Sequence, residues 1–200
     1  MKRRDALLGI LGGALAVAGD ARAQNDLLKV RDGEHILGKS DAPNTIIEYV
    51  SLACWSCARF HLEVLPAVKK RWIDTGKARL VFRHFPIDNV AARASQLAEC
   101  GPPGGFFPRV DALFRSQDRW ARAADPAAEM AAALASLGVT RDQVLACDVN
   151  TPVVDKVIES IHGGLALGVT GTPTLFINGE NHGNPGDPKA IDIILRKSGR

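Results

Sequence analysis

Hydrophobic and polar positions along the chain follow two periodicities, and each change of period predicts a new element. The β-branched and aromatic run 45–50 predicts a strand that is buried on both faces. Apolar residues then recur at three- and four-residue spacings, which predicts an amphipathic helix over about 54–73. Pro66 lies inside this helix and predicts a kink or a break. Residues 78–85 predict a second strand, so this part of the chain forms a β-α-β unit with parallel strands and a right-handed crossover.

The rest of the pattern is mostly helical. A short strand is predicted near 34–37, and strand character returns only at 174–177. Asn178-Gly179 is a strong hairpin signal, so 180–182 should pair back antiparallel. Helices are predicted over 91–99, 108–116, 126–137, 141–146, 153–167 and 187–197. The order β-α-β, helices, β-β-α indicates one α/β domain that is divided by an all-helical insertion.

The first 23 residues have the three-part layout of a secretory signal. A basic stretch is followed by the apolar run 6–19, and then by the small-x-small site Ala21-Arg22-Ala23. An N-terminal membrane anchor is the alternative, but the apolar run is shorter than the roughly 20 residues that a spanning helix needs. The pair Arg3-Arg4 leaves a twin-arginine route open beside the ordinary export route, which we favour. We therefore expect 1–23 to be cleaved and 24–200 to work in the periplasm or another oxidising compartment.

Composition excludes several classes of protein. The 200 residues include 25 Lys and Arg against 22 Asp and Glu, a net charge of +3, which argues against a nucleic-acid binder. Cleavage after Ala23 would leave 21 against 20, a net charge of +1. The hydrophobic fraction of 46% argues against disorder, and 4 cysteines are too few for a scaffold built on disulfides. After the signal, no segment is long and apolar enough to span a membrane, so we expect a soluble mature protein.

The candidate chemistry lies at Cys54-Trp55-Ser56-Cys57, where the first buried strand passes into the helix. The two cysteines are about one helical turn apart, so both sulfur atoms lie on the same side and can form a disulfide. Unpaired N–H groups and the helix dipole at the N-terminus favour a thiolate, which is the reactive form. We therefore expect Cys54 to be the nucleophile. Cys57, more buried, is expected to resolve a mixed disulfide at Cys54 and release the product.

A metal site or an inert disulfide is the alternative use of this pair. A structural zinc site needs four ligands, usually from two such pairs, whereas Cys100 and Cys147 each stand alone. An inert disulfide is disfavoured because a strand-to-helix junction exposes the pair. A copper or other soft-metal site on Cys54 and Cys57, with or without His61, is a further hypothesis.

Two segments carry a family resemblance. Residues 48–57, with Phe60-His61 after them, resemble the DsbA-like thiol–disulfide oxidoreductases of the thioredoxin superfamily. Residues 168–174, a helix-to-strand corner, resemble the same family. The resemblance implies that Pro173 is a cis-proline facing the cysteine pair, and that Thr172 offers its backbone to an extended substrate segment.

The resemblance covers about residues 30–197 and implies a thioredoxin-like fold. Its core would be formed by about 30–89 and 168–197, with the helical insertion over about 90–167. Together with the export signal, it implies an exported oxidase that introduces disulfides into secreted proteins and is reset by a redox partner. A reductase or isomerase of the same fold is the alternative. Dimeric isomerases of this kind have a sizeable N-terminal dimerisation region, whereas only residues 24–44 precede the first core strand here. We therefore favour a monomer without the isomerase role. No cofactor, metal, nucleic acid or stable membrane insertion is expected.

The dipeptide between the cysteines departs from the pattern of the family. Well-known members of the family carry Pro-His between the cysteines, and the His helps to hold the thiolate. Here the dipeptide is Trp55-Ser56, so the resemblance does not extend to the oxidising strength. Trp55 is either a hydrophobic lip for substrate or an exposed turn residue.

In the family, a buried acid at the position of Glu48 assists proton transfer at the resolving thiol. We expect Arg83 or Lys77 to pair with it, unless the strand twists and Glu48 reaches solvent.

The remaining histidines and cysteines are expected to be structural. His61 and His84 are expected to be packed or surface side chains rather than proton carriers. With Cys54–Cys57 taken, Cys100–Cys147 is the natural remaining pair. Some DsbA-like members have a second bridge in the insertion. Two buried free thiols are the alternative.

Overall fold

Five strands form one mixed sheet in the computed structural model, which describes residues 24–198. The strands are β1 (His35–Leu37), β2 (Asn44–Val50), β3 (Ala78–His84), β4 (Thr174–Ile177) and β5 (Glu180–Asn181). Their order across the sheet is β1-β3-β2-β4-β5, with β2 and β3 parallel and all other pairs antiparallel. The predicted export signal, residues 1–23, lies outside the described residues. Among those described, no helix combines the length and the apolar character needed to cross a bilayer.

Helices cover the sheet and fill the segment between β3 and β4. Helix α1 runs without interruption through Trp55–Arg59, Phe60–Val64, Leu65–Val68 and Lys69–Ile73. The insertion contains α2 (Asn89–Glu99), α3 (Phe106–Arg115), α4 (Gln117–Trp120), α5 (Pro126–Leu134), α6 (Arg141–Asp148) and α7 (Thr151–Ala166). The chain described ends with α8 (Pro188–Ser198). This is the predicted fold class, a thioredoxin-like sheet with a helical insertion.

The kink that Pro66 predicts takes the form of widened helical turns. Segments Phe60–Val64 and Lys69–Ile73 have π-helical hydrogen bonds, and the N–H of Leu65 donates to the carbonyl of Phe60. A proline lacks an N–H and crowds the preceding turn, and a wider turn relieves both problems without ending the helix.

Alternation along β2 divides its side chains between two cores. Ile46 and Val50 belong to the larger core, which includes α1 and much of the insertion. Ile47 and Tyr49 belong to a smaller core on the opposite face. Because side chains alternate along a strand, Glu48 lies on the face of Ile46 and Val50, toward α1.

The helical insertion is anchored by caps and by a covalent bond. Asp88 and Asp125 accept hydrogen bonds from N–H groups in the first turns of α2 and α5. Cys100, after α2, and Cys147, in α6, form a disulfide with a Cα–Cα distance of 5.9 Å. The pairing is the one that the sequence predicts, and the alternative of two free thiols is wrong.

Candidate active site

Cys54 occupies the N-terminal end of α1, the position that the sequence predicts. Its backbone is extended, with φ −82° and ψ 120°, and the helix begins at the next residue. Its carbonyl accepts hydrogen bonds from the N–H groups of Cys57 and Ala58, at 3.0 and 3.1 Å. This turn places the Cys54 sulfur at the helix N-terminus, near the N–H groups of Ser56 and Cys57, with the Cys57 side chain about one turn further along.

The surroundings of Cys54 favour its thiolate. Its pKa falls from 9.0 to about 5, chiefly because the Cys57 thiol donates a hydrogen bond to it. Partial burial opposes this shift, while the Thr172 hydroxyl and the backbone N–H groups of Cys57 and Ser56 add to it. The protonated thiol has a different partner, since its Sγ donates to the Thr172 carbonyl at 3.3 Å. The hydrogen-bond donors lower the pKa more than burial raises it, so Cys54 is a thiolate at neutral pH.

Cys57 has the opposite character. Its side chain is fully buried, and burial raises its pKa far above the usual thiol range. The Cys54 sulfur and the negative charge of Glu48 raise it further. The pair is present as two free thiols. It therefore combines an accessible thiolate with a buried thiol that keeps its proton, which is the asymmetry that thiol–disulfide exchange needs.

The loop before β4 closes the site from the other side. The peptide bond between Thr172 and Pro173 is cis, and Pro173 is buried. Since the Cys54 sulfur reaches the Thr172 carbonyl, the two segments lie in direct contact although they are 118 residues apart in the sequence.

Glu48 is buried, but its partner differs from the one expected. It has 0% exposure, and its Oε2 lies 3.0 Å from Nε2 of His61. Its Oε1 is also buried and has no hydrogen-bond partner among the described residues. The expected pairing with Arg83 or Lys77 is wrong, and so is the alternative that Glu48 reaches solvent.

Strand geometry explains this correction. In the register of β2 and β3, Glu48 lies beside Phe82 and Tyr49 beside Arg83, so Arg83 projects from the opposite face of the sheet. There the Arg83 guanidinium binds Glu34 at 2.6 Å. Lys77 comes just before the start of β3, beyond the far end of β2 and roughly 16 Å along the strand from Glu48.

His61 contacts the site, which the sequence analysis did not anticipate. It follows Cys57 by four residues and therefore lies on the same face of α1. Its ring packs among Phe60, Phe82 and Phe114, and its side chain is 7% exposed. The spacing from Cys57, combined with the inward face of Glu48, was the signal that could have predicted this contact. Because Nε2 of His61 is bonded to Glu48, the copper hypothesis loses a ready third ligand.

Gln117 is the second residue that the sequence did not predict. It is buried at the start of α4, and its Nε2 donates to the carbonyls of Leu52 at 2.6 Å and Cys54 at 3.1 Å. The helical insertion thereby holds the loop between β2 and α1. No local pattern indicates this contact, since 63 residues separate Gln117 from Cys54.

His84 belongs to a separate buried cluster, away from the cysteines. Both oxygens of Glu99 are bonded, one to His84 at 3.1 Å and the other to His35 at 2.9 Å and Lys156 at 2.6 Å. Burial would raise the pKa of Glu99, but the hydrogen bonds from these three side chains hold that pKa well below its usual range. Burial also lowers the pKa of His84. As expected, His84 is a packed side chain.

Trp55 is 70% exposed at the first residue of α1, next to the reactive sulfur. It packs into neither core. Its exposure fits both roles that the sequence leaves open, a lip for substrate and a turn residue.

The chain is similar in sequence to proteins that are named for disulfide chemistry. A family model described as thioredoxin matches residues 31–197. A Rickettsia bellii protein named as a protein-disulfide oxidoreductase is 29% identical over 176 residues, covering 85% of this chain and 68% of its own length. A Bacillus cereus protein named as disulfide bond formation protein D is 25% identical, covering 92% of this chain and 89% of its own. Against a second rickettsial relative, from Rickettsia typhi, this chain spans 64% of the relative's length.

Solved structures agree with the sequence relatives. The alpha-DsbA1 protein of Wolbachia pipientis has 30% identity and a TM-score of 0.79, and the match covers 87% of this chain and 94% of that one. BdbD from Bacillus subtilis has 21% identity and a TM-score of 0.75, with 82% and 92% of the two chains covered, which shows a shared fold. The sequence relatives and the structural neighbours thus both come from proteins named for disulfide formation or as DsbA proteins.

Proposed function

The chain belongs to the DsbA-like thiol–disulfide oxidoreductases of the thioredoxin superfamily, and from that premise we propose that it is an exported oxidase of protein thiols. Its disulfide form would accept electrons from secreted proteins that are still folding, and a redox partner would reset it. The predicted export signal, residues 1–23, and the oxidising compartment it implies support the exported role.

The asymmetry of the cysteine pair carries this proposal. Cys54 is accessible and its pKa is about 5, whereas the pKa of Cys57 is strongly raised and its side chain is buried. A substrate therefore meets only Cys54. A low thiol pKa also makes Cys54 a good leaving group, which favours release of an oxidised product.

The reaction proceeds through two exchange steps. A substrate thiolate attacks Sγ of Cys54, the Cys54–Cys57 bond breaks, and its electron pair goes to Cys57, which takes up a proton. A second substrate thiolate then attacks the substrate sulfur of the mixed disulfide, and Cys54 leaves as a thiolate. The substrate is oxidised by two electrons, and the enzyme ends with one thiolate and one thiol. The Thr172 hydroxyl and the Cys57 thiol stabilise that leaving thiolate.

The Cys54 pKa also favours the oxidising direction. At pH 7 a thiol with a pKa of about 5 is about a hundredfold more thiolate than thiol, which stabilises the reduced form by about two decades. For a two-electron couple this corresponds to about 60 mV, so the disulfide is that much more oxidising than it would be with an ordinary thiol. In this chain the Cys57 thiol, Thr172 and the backbone N–H groups of Cys57 and Ser56 supply this stabilisation, without a His between the cysteines.

Equilibration of the Cys54–Cys57 pair with glutathione tests the direction. We expect a potential well above the roughly −270 mV of thioredoxin, and a value near or below that figure would refute the oxidase role. Refolding of scrambled ribonuclease tests the isomerase alternative, because efficient reshuffling would favour it. Cys54→Ser should abolish activity in both assays, whereas an exposed substitution such as His162→Gln should leave it unchanged.

A further inference from the structure

The buried pair of His61 and Glu48 joins β2 to α1, the helix that carries the resolving thiol. Glu48 has 0% exposure, and its single hydrogen bond among the described residues is the one to His61, at 3.0 Å. A carboxylate buried in this way is costly unless it is paired or protonated. The structure supplies one polar partner, and that partner can itself carry a proton.

The second oxygen of Glu48 is free. Oε1 is buried and has no hydrogen-bond partner among residues 24–198, although Oε2 is bonded to His61. The charge of Glu48 acts on Cys57, so the carboxylate and the thiol are close enough to interact. Glu48 faces the core that contains Cys57, and an unpaired buried oxygen on that face is suited to exchange a proton with a thiol that must change its protonation state.

His61 connects this carboxylate with the outside of the protein. Its side chain retains 7% exposure where Glu48 has none. The groups packed around its ring are Phe60, Phe82 and Phe114, which neither donate nor accept a proton. Among residues 24–198, the hydrogen bond to Glu48 is the one side-chain hydrogen bond of the ring.

From this arrangement we infer that His61 is a positioning and proton-relay residue for the thiol–disulfide reaction, acting through Glu48 on Cys57. The inference rests on the proposed function and assigns a role to a residue that touches neither sulfur. When a substrate thiolate forms a bond to Sγ of Cys54, the departing electron pair on Cys57 receives a proton from the Glu48 carboxyl. His61 returns a proton to the carboxylate from its other side and regains its own from water. In the reverse direction the same path removes the proton from Cys57.

The burial of Cys57 explains why a relay is needed. A bare thiolate at this fully buried position would be strongly disfavoured, so the sulfur must gain its proton as the disulfide opens. Water has no direct access to it. Once the Glu48 carboxyl has delivered its proton to Cys57, it must be reprotonated. His61, its hydrogen-bond partner, is placed to reprotonate it.

Single-turnover reduction of the oxidised protein by dithiothreitol tests this inference, with free thiols counted by acid quench, alkylation and mass. His61→Phe fills the aromatic site but removes the hydrogen bond and the proton. His61→Gln keeps a donor toward Glu48 but cannot carry a proton. We expect both variants to react about tenfold more slowly than the wild type, or slower still.

A double-mutant cycle with Glu48→Gln separates the relay from a merely structural role. If His61 acts through Glu48, His61→Gln costs nothing further in the Glu48→Gln background. Independent, multiplicative losses would overturn the inference, and so would a wild-type rate in His61→Gln. His162→Gln, an exposed histidine of α7, is the matched control.

Folding and the proposed function are checked separately. Thermal unfolding of each variant shows whether it is folded, and if His61→Phe is not, the Gln variants alone complete the cycle. If the wild type does not exchange with dithiothreitol at all, the proposed function fails. If the wild type exchanges and the His61 variants match it, only the relay fails.

Discussion

The hydrogen bond from Cys57 is the largest contribution to the low pKa of Cys54, and its removal gives a direct test of the site. Cys57→Ala deletes the donor. Cys57→Ser keeps one, because a serine hydroxyl can donate to the Cys54 thiolate. The other Cys54 donors, from Thr172 and from the backbone N–H groups of positions 56 and 57, remain in both variants.

The size of the effect follows from the energy of such a bond. A hydrogen bond to a charged group contributes about 1.5–3 kcal/mol, and one pKa unit is 1.36 kcal/mol, so Cys57→Ala should raise the pKa of Cys54 by about 1–2 units. Starting from about 5, the thiolate fraction at pH 7 would fall from about 99% to between about one half and nine tenths. Cys57→Ser should shift the pKa much less.

Ultraviolet absorbance of the thiolate against pH measures this shift. With Cys100 and Cys147 joined in a disulfide, Cys54 is the one thiol that titrates in either variant. The pH dependence of its alkylation rate gives a second measurement. A Cys57→Ala variant that titrates at the wild-type pKa would refute the reasoning, because the helix N-terminus and the remaining donors would then suffice. Equal large shifts in the Ala and Ser variants would also contradict it.

Three further predictions concern the structure beyond the cysteine pair. Gln117→Leu should lower the unfolding free energy in urea by about 1–3 kcal/mol, since it leaves the buried carbonyl of Leu52 without its donor; a loss under about 0.5 kcal/mol would contradict this. Replacing Cys100 and Cys147 by Ala opens a loop with a sequence separation of 47 and should cost about 4 kcal/mol while the exchange rate at the active pair stays unchanged. Because the folded-state pKa of Glu99 is depressed, its contribution to stability is present above pH 4.5 and is lost as the pH falls toward the folded pKa. Glu99→Gln should therefore flatten the acid side of the stability curve, and an unchanged slope would refute the assignment.

Much of the fold could be predicted from local patterns. Most strand and helix bounds follow from apolar spacing, so the predicted strand 45–50 is observed as Asn44–Val50. The last strand follows from the turn signal at Asn178-Gly179, and that hairpin is present. The main difference is at α1, where Pro66 predicts a kink or break and the structure has widened turns instead. Periodicity reports which residues face the core, but not how a helix accommodates a missing N–H.

The cysteine pair was equally visible in the sequence. Cys-x-x-Cys at a strand-to-helix junction is a local motif, and its chemistry follows from the exposed N–H groups of a helix N-terminus. The disulfide between Cys100 and Cys147 could be predicted because few pairings remain for four cysteines. The cis bond before Pro173 came from family resemblance, since most X–Pro bonds are trans.

The sequence by itself determined the order of the elements and the reactive pair. Tertiary structure decided what Glu48 bonds to and which residue holds the active-site loop. Local periodicity is set by neighbours within a few residues, whereas the partner of a buried charge depends on which face of which element packs against it. Arg83 was excluded by the alternation of β3, His61 was selected by the turn of α1, and Gln117 was brought in by an insertion that only the packed fold places beside Cys54.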